Sequence, residues 1–350
     1  MTTLWQQYQD LKATNAHLFQ YEAAALLNVS EGTLLADSPD CVYLGSDIEG
    51  IFKQLTQIQE VQLMVRNDVA VHEKHTRITP FKWSPKVSLA IDVGGFDVRV
   101  FTPHWRHALA HDFVTRGKNF RSIQFFNDEG FALQKVYLQS DDDALWQHII
   151  DTFKQDDKPT FVKNETEQIK HTTALSAEEK QDFQNKWREM TNVHQFFGLL
   201  EQYGLTRKQA FENAPEGYAL RLPTSAIEQA YTQAAEEQVP LITFIGNKGI
   251  VQIQTGTVKN VSRMRGWLNI FDQKHNGFTM HLDDSKIDST WLVVRPTSDG
   301  LVSCLDALNA DGQSVWSVFG QRVEGQAELA SWRLLLQKVT GQTIAEEQLS

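Results

Sequence analysis

The stretch Val61-Gln-Leu-Met-Val-Arg-Asn67 governs the organisation of the chain, because the similar stretch Leu241-Ile-Thr-Phe-Ile-Gly-Asn247 follows 180 residues later (247 − 67). Three more pairs of segments recur in the same order at similar offsets. They are Gly95–Arg99 with Gly277–His281, Asn127–Gly130 with Asn309–Gly312, and Trp146 with Trp332. Self-similarity at a nearly constant offset is the signature of an internal duplication. We therefore expect two homologous halves.

The boundaries of the two halves follow from the repeat and from composition. The N-terminal half is predicted over residues 1–155 and the C-terminal half over residues 185–350. Residues 156–184 between them begin with a polar and charged stretch that is typical of a linker.

Each half is predicted to begin with helices. Apolar residues recur at helical spacing over Thr3–Leu27 and over Ser176–Tyr203. Capping-box patterns beginning at Ser176 and Thr206 predict helix starts, and Gly204 predicts a helix end.

Strands and a final helix are predicted to follow in each half. Short apolar or alternating runs predict strands at Val61–Val65, Val98–Phe101, Ser122–Phe126, Gln134–Leu138, Leu241–Ile245, Thr279–Leu282 and Val315–Phe319. Asn127–Gly130 and Asn309–Gly312 predict hairpin turns, and tryptophan-bearing helices are expected at Asp141–Lys154 and Ala327–Lys338. The predicted fold class is α+β, a tandem duplication in which each half is a largely antiparallel β-sheet with helices.

Composition excludes several classes of protein. The 350 residues carry a formal charge of −11, which argues against nucleic acid as the main partner. Two isolated cysteines offer neither a disulfide framework nor a cysteine-based metal site. No run of about 20 apolar residues is present, and the first residues lack the features of a secretory signal. We therefore expect a cytoplasmic protein that is not embedded in a membrane.

The motifs of nucleotide-binding, zincin and serine-hydrolase proteins do not occur, which leaves histidines and arginines as candidates. On a continuous helix, His194 would share one face with Trp187, Met190 and Phe197. A haem ligand needs such a setting, in which one imidazole is flanked by apolar surface. The spacing alone also allows a histidine at the edge of the core that is hydrogen-bonded to a neighbour.

Other histidines give weaker signals. His104, His107 and His111 could hold a metal on one side of a helix, or could form a solvated polar face. His72 and His75 lie on a predicted strand, where their odd spacing places them on opposite faces.

Arg99 and one helical segment complete the candidates. Arg99 alternates with Val98 and Val100, so it is either a fixed cation for a ligand oxygen or a solvent-facing arginine. Glu22–Leu34 has the pattern of a helix-turn-helix, but its second helix lacks the basic residues of a DNA-reading helix. A structural helical corner is therefore preferred to a DNA-binding regulator.

Five strings together resemble the bacterial haemin-degrading and haemin-transport proteins of the HemS, HmuS and ChuS group. They are Met190–Phe197, Ser122–Phe126, Leu205–Phe211, Gly246–Gly256 and Gly320–Gln326. The resemblance extends in order over nearly the whole chain, including the duplication, and it favours the ligand interpretation of His194.

The resemblance also implies the roles of individual residues. It implies that haem lies between the halves, that His194 is the proximal ligand of the iron, and that Arg99 is the catalytic residue on the distal side. The implied further contacts to haem are Arg207, Arg295 and Arg322 at the propionates, Phe244 at the porphyrin, and His72 as a second or weaker contact. Phe319 departs from the family, which often has tyrosine there.

The function implied by the resemblance is cytoplasmic binding and oxidative breakdown of haem b (iron protoporphyrin IX), with release of iron. The alternative is a chaperone that delivers intact haem to a separate oxygenase, and the residues do not distinguish the two. The implied partners are haem, an inner-membrane haem ABC transporter or a downstream oxygenase, and an external electron donor.

Overall fold

The computed structural model describes residues 2–115, 117–162, 174–323 and 325–342. Its helices are α1 (Leu4–Thr14), α2 (Gln20–Leu26), α3 (Glu31–Ala36), α4 (Ile48–Leu55), α5 (Asp143–Phe153), α6 (Ala177–Arg188), α7 (Gln195–Tyr203), α8 (Arg207–Glu212), α9 (Ser225–Glu237), α10 (Gln273–Asn276) and α11 (Ala330–Thr340). Within the described ranges, none of these helices combines the length and apolar character needed to cross a membrane.

The strands come mostly in runs between groups of helices. They are β1 (Cys41–Tyr43), β2 (Val61–Arg66), β3 (Ala70–Thr76), β4 (Val87–Ala90), β5 (Asp97–Phe101), β6 (His107–Thr115), β7 (Lys118–Phe126), β8 (Ala132–Leu138), β9 (Ala219–Leu222), β10 (Leu241–Gly246), β11 (Ile250–Gly256), β12 (Val261–Met264), β13 (Trp267–Asp272), β14 (Phe278–Leu282), β15 (Ser289–Thr297), β16 (Gly300–Leu308) and β17 (Ser314–Gly320).

The chain forms two compact units, and each takes a short segment from the other half of the sequence. Unit 1 consists of Met1–Arg66, His72–Thr166 and Gly246–Gln252, and unit 2 consists of Asn67–Val71, Glu167–Ile245 and Ile253–Ser350. The duplication is therefore present in space, but the two units are not simply the first and second halves of the chain.

Each unit contains a five-stranded antiparallel arrangement with the same order. In unit 1 the order is β1-β6-β7-β8-β2, and in unit 2 it is β9-β15-β16-β17-β10. A smaller antiparallel group accompanies each one, β4-β5 in unit 1 and β12-β13-β14 in unit 2. The matching strand orders confirm the predicted tandem α+β duplication.

The predicted hairpin turns form in the same way in both units. The Asn127 side-chain oxygen accepts hydrogen bonds from the backbone N–H groups of Glu129 and Phe131, and Asn309 does the same two and four residues ahead. Gly130 and Gly312 complete the turns with φ of 79° and 73°, a conformation in which a side chain would be strained. Both turns therefore follow from local sequence alone.

The segment Gly246–Gln252 is closely fitted into unit 1. The Gly249 carbonyl accepts hydrogen bonds from the Phe101 backbone N–H at 2.9 Å and from the Trp105 indole at 2.8 Å. A Cβ at Gly249 would lie 2.6 Å from the side chain of Leu133. Only glycine allows this approach without displacing the leucine.

One core in each unit holds the closing helix against the strands. Trp146 of α5 is fully buried in the core of unit 1, and Trp332 of α11 is fully buried in that of unit 2. The tryptophan-bearing helices predicted from the repeat are thus confirmed as core elements.

The long helical stretches predicted at the start of each half are broken. Residues 15–19 separate α1 from α2, and residues 189–194 separate α6 from α7. The second break arises where the Gln195 side chain accepts hydrogen bonds from the backbone N–H groups of Thr191 and Asn192. Side chains that bond to nearby backbone compete with helix formation.

The predicted linker has ordered parts at both ends. Phe161 contacts the rings of His107 and Phe126, both in unit 1, whereas residues 177–184 belong to α6. Residues 163–173 lie outside the described residues. The domain boundaries at 155 and 185 stay a prediction.

Candidate functional site

His194 lies at the N-terminus of α7, where it is the exposed residue that precedes the helix. Its backbone N–H donates to the Asn192 side chain at 2.9 Å. The prediction of a shared helical face is wrong, because the helix is interrupted between α6 and α7. Trp187 and Met190 are buried, whereas Phe197 is 57% exposed. His194 and Phe197 therefore face solvent in unit 2, beside a buried aromatic core.

Arg207 is the first residue of α8, close to α7. A capping box formed by Thr206 and Gln209 begins this helix. The Arg207 guanidinium lies 5.1 Å from the centre of the Phe197 ring. It donates from Nη1 to Oδ2 of Asp306 at 2.9 Å, and the Asp306 side chain is 1% exposed. The helix start thus places a cation beside the exposed ring that follows His194.

Arg295 on β15 is a buried cation. Its guanidinium lies 4.7 Å from the centre of the Phe196 ring, and its Nη1 contacts the Cys304 sulfur at 3.8 Å. Nε and Nη2 are buried and have no hydrogen-bond partner among the described residues. A buried guanidinium with unsatisfied N–H groups is costly.

The electrostatics of the cluster formed by Arg207, Arg295, Cys304 and Asp306 are dominated by burial. Burial lowers the pKa of Arg207, Asp306 opposes the shift, and Arg295 adds to it. Burial likewise raises the pKa of Cys304 to about 12, which keeps the thiol protonated. Arg207 therefore pairs with Asp306, whereas Arg295 forms no salt bridge among the described residues.

The third predicted propionate residue, Arg322, lies near the segment that precedes His194. Its Nη2 donates to Asp299 at 3.3 Å. The adjacent Ser298 donates its backbone N–H to the carbonyl of Thr191. Arg322 therefore has a carboxylate partner, unlike Arg295.

Phe244 and Phe319 form an apolar contact in unit 2. Their rings lie 5.3 Å apart at an interplanar angle of 69°. Phe244 is half-buried on β10 and lies opposite Ser317 on β17, two residues before Phe319. The pair offers flat apolar surface, but no hydroxyl where the family often has tyrosine.

Arg99 and His72 lie in unit 1. Val98 and Val100 are buried in the core, whereas the Arg99 side chain is 32% exposed and paired with Asp97. This confirms the predicted alternation. His72 is fully buried, and burial lowers its pKa to about 3, so its imidazole is neutral near pH 7.

The histidine run is not helical. His107 and His111 lie on β6, and His104 lies in a preceding 3₁₀ turn. His111 is buried and its Nε2 bonds to the Ser38 hydroxyl at 3.0 Å, so the solvated polar face is also wrong for this residue. In the described part of the chain, no group of three histidine, cysteine or acidic residues is placed to hold a metal ion.

In unit 1 the equivalent of the sheet face that carries Asp306 is the face of β8 and β2 that carries Lys135 and Arg66. Both cations are paired within the unit. Glu31, the first residue of α3, pairs with Lys135 on β8, and their side chains are 5% and 9% exposed. Arg66 pairs with Glu22 at 3.2 Å and lies 3.6 Å from the Tyr21 ring. Lys135 and Arg66 therefore each have a carboxylate partner.

Sequence reasoning missed Asp306 and the pair Glu31–Lys135. The strand alternation in Cys304-Leu305-Asp306 places Cys304 and Asp306 on one face, which is a usable signal. The partner of Asp306 is 99 residues away and that of Lys135 is 104 residues away. Pairs at such separations leave no local pattern.

Comparisons with known proteins identify the family of the chain. The model of the haemin-degrading HemS.ChuX domain matches residues 28–153 and 204–339. The hemin transport protein HemS of Yersinia enterocolitica is 33% identical over 346 residues, which are 98% of this chain and 99% of the relative. The hemin transport protein HmuS of Yersinia pestis is 32% identical over 348 residues, 98% of this chain and 99% of the relative.

Solved structures give the same result. The heme-degrading enzyme ChuS of Escherichia coli O157:H7 has a TM-score of 0.87 at 33% identity, covering 96% of this chain and 98% of that chain. The heme-bound form of PhuS, a heme-binding protein of Pseudomonas aeruginosa, has a TM-score of 0.87 at 30% identity, covering 95% and 96%. Since the domain model matches both repeats and well over half of the residues, the chain belongs to the haemin-degrading HemS.ChuX family.

Proposed function

We propose that the protein binds haem b in the cytoplasm and degrades it oxidatively, with release of iron. The observation that carries this proposal is the buried Arg295 guanidinium, whose Nε and Nη2 have no partner among the described residues. It lies in unit 2 together with the exposed imidazole of His194 and the exposed ring of Phe197. Cations, an imidazole and flat apolar surface are the groups that carboxylates, iron and a porphyrin require.

Binding is assigned to unit 2 in this proposal. His194 supplies a neutral imidazole nitrogen as the proximal ligand. Arg207, Arg295 and Arg322 bind the two propionates through charge-assisted hydrogen bonds. The Arg295 side chain is buried, so its contact with a propionate, like that of His72 with haem, requires a local rearrangement. Phe244 contacts the porphyrin face, an interaction that the nearby ring of Phe319 supports.

The catalytic role is assigned to Arg99. When haem is bound, its iron supplies the redox chemistry that opens the ring. Asp97 holds the Arg99 guanidinium by an ion pair, so this residue offers a fixed cation that stabilises negative charge developing on the reacting oxygen. An external electron donor supplies the reducing equivalents, and an inner-membrane haem transporter supplies the substrate.

His72 is a weaker part of the proposal. Its side chain is fully buried in the ligand-free structure, so a contact to haem requires a local rearrangement. Among the proposed contacts, we therefore expect His72 to contribute least to affinity.

The test uses purified protein loaded with haemin, a reductant and catalase. Loss of the Soret band together with release of iron supports the enzyme. If catalase abolishes this loss, free peroxide was the oxidant, and the protein is a haem chaperone that serves a separate oxygenase. Arg99→Ala should leave haem bound but slow ring opening, and turnover equal to that of the wild type would remove Arg99 from the mechanism.

A further inference from the structure

Asp306 is a buried carboxylate whose two oxygens are engaged differently. Oδ2 accepts the hydrogen bond from Arg207 at 2.9 Å, and Oδ1 accepts one from the hydroxyl of Ser314 at 2.6 Å. Asp306 lies on β16 and Ser314 begins β17, the neighbouring strand. The sheet therefore fixes the orientation of this carboxylate.

Arg207 needs such a partner because of its own position. As the first residue of α8 it lies at the positive end of the helix dipole, which disfavours a cation. Its side chain is 19% exposed, and its guanidinium lies close to the exposed ring of Phe197. One N–H of the guanidinium is thus held by the buried carboxylate, while the side chain keeps partial exposure to solvent.

We propose that Asp306, oriented by Ser314, is the positioning residue that holds the Arg207 guanidinium in the geometry needed to recognise a carboxylate of the bound tetrapyrrole. This inference rests on the proposed function, because it specifies how one of the proposed propionate contacts is prepared. A guanidinium that is already held loses less side-chain freedom when the ligand binds.

A different role for Asp306 predicts the opposite sign. If Asp306 served only as a counter-charge, its removal would increase the positive charge of the cluster and strengthen carboxylate binding. If it positions Arg207, its removal weakens the recognition of carboxylates. In Asp306→Asn the Ser314 hydroxyl continues to occupy the side-chain oxygen, which turns the amide NH₂ toward Arg207 and leaves the guanidinium without an acceptor.

The experiment measures the dissociation constants of haemin and of haemin dimethyl ester for the full-length protein. The dissociation constant of the ester divided by that of haemin reports carboxylate recognition. The position of the Soret band reports ligation by His194. We expect Asp306→Asn to lower this ratio about tenfold, equivalent to about 1.4 kcal/mol, without moving the Soret band. In an Arg207→Ala background the same substitution should leave the ratio unchanged.

Two more variants keep the test decisive. Ser314→Ala retains the charge of Asp306 and should lower the ratio by a smaller factor, so it replaces Asp306→Asn if that variant does not fold. Asp288→Asn is the matched control, because Asp288 pairs at 2.8 Å with Lys208, the next residue of α8, and both side chains are 31% exposed. This control should leave the ratio unchanged.

The outcomes separate the two proposals. If the wild type binds neither compound with a haem-protein spectrum, the proposed function is wrong. If the wild type binds haemin but the ratio is unchanged or raised in both Asp306→Asn and Ser314→Ala, only the positioning role is wrong. An equal effect of Asp306→Asn with and without Arg207 would also overturn it, since the effect would not act through Arg207.

Discussion

The first residue of a short, hydroxyl-capped helix carries opposite charges in the two units. Glu31 begins α3 after the cap Ser30, and Arg207 begins α8 after the cap Thr206. An acid at this position is favoured by the helix dipole, whereas a cation is not. The two units therefore share the form of this helix start and differ in the charge of its first residue.

The consequences of this charge difference are distinct in the two sheet faces. In unit 1 the buried Glu31 carboxylate is paired with the buried Lys135 ammonium. Arg207 shares its cluster with a second cation, Arg295, and the cluster has one carboxylate, Asp306. The comparison teaches that the charge at this helix start has a single carboxylate–cation pair in unit 1, whereas in unit 2 it lies beside a second guanidinium, that of Arg295.

The largest expected effect breaks the pair in unit 1. Lys135→Ala leaves Glu31 buried without a partner, which should lower the free energy of unfolding by about 3–5 kcal/mol. The control Lys154→Ala removes the exposed pair with Asp151, whose side chains are more than half exposed, and should cost about 0–1 kcal/mol. Urea denaturation measures both, and equal values would refute the structural role of the buried pair.

The second effect concerns the histidines of the two units. His194→Ala should shift the Soret band and weaken haem binding by at least the about 10–100-fold that accompanies loss of an outer-shell partner. His72→Ala should leave the spectrum unchanged, because that side chain is buried. Absorption titration with haemin distinguishes them, and a His194→Ala protein with the wild-type spectrum would exclude His194 as the ligand.

The third effect tests whether Arg295 contributes to haem binding rather than to the stability of the ligand-free protein. Arg295→Met removes a buried guanidinium with unsatisfied N–H groups, which should raise the unfolding free energy of the ligand-free protein by about 1–3 kcal/mol. The same variant should bind haemin about tenfold more weakly, near the low end for a hydrogen bond to a charged group. A variant that is destabilised and binds normally would show that Arg295 serves structure alone.

The smallest effect concerns Glu73 of unit 1. Burial raises its pKa to about 7, and a hydrogen bond from Gln62 partly opposes the shift. The unfolded chain releases this proton near pH 4.5, so the associated stability is present there and is lost as the pH rises toward 7.

Glu73→Gln, which resembles the protonated form, should therefore gain stability relative to the wild type between pH 5 and pH 8. The gain should be about 1 kcal/mol in total, because the Glu73 side chain is only half-buried and solvent screens much of its electrostatic penalty. Urea denaturation across this pH range provides the measurement. Glu49→Gln, on an exposed position of α4, is the control and should show no such gain. A pH-independent difference for Glu73→Gln would mean that Glu73 is ionised throughout.

The parts of the fold that could be predicted are those that depend on interactions between residues close together in the sequence. The asparagine turns at Asn127 and Asn309 and the capping boxes at Ser176 and Thr206 formed as predicted, because their hydrogen bonds lie within five residues. The break before His194 was missed, since apolar spacing continued through it while the Gln195 side chain bonded to the backbone.

The candidate site was predictable to a lesser degree. The resemblance to a family predicted Arg207, Arg295 and Arg322 as propionate contacts. The structure brings Arg207 and Arg295 together in unit 2. It did not name Asp306, whose contact with Arg207 depends on the pairing of distant elements. Burial of His72 likewise depends on the surrounding sheet and cannot be seen in the alternation of its strand.

The segment Gly246–Gln252, which belongs to unit 1 although it lies in the second half of the sequence, has a consequence for synthesis on the ribosome. Unit 1 includes residues 246–252, so it lacks a part until 86 more residues have followed residue 166 (252 − 166). At about 5–20 residues per second, this delay lasts several seconds. During that time the Trp105 indole and the Phe101 backbone N–H have no Gly249 carbonyl to bind. The nascent N-terminal half must therefore stay soluble while incomplete, a demand that independent tandem domains do not face.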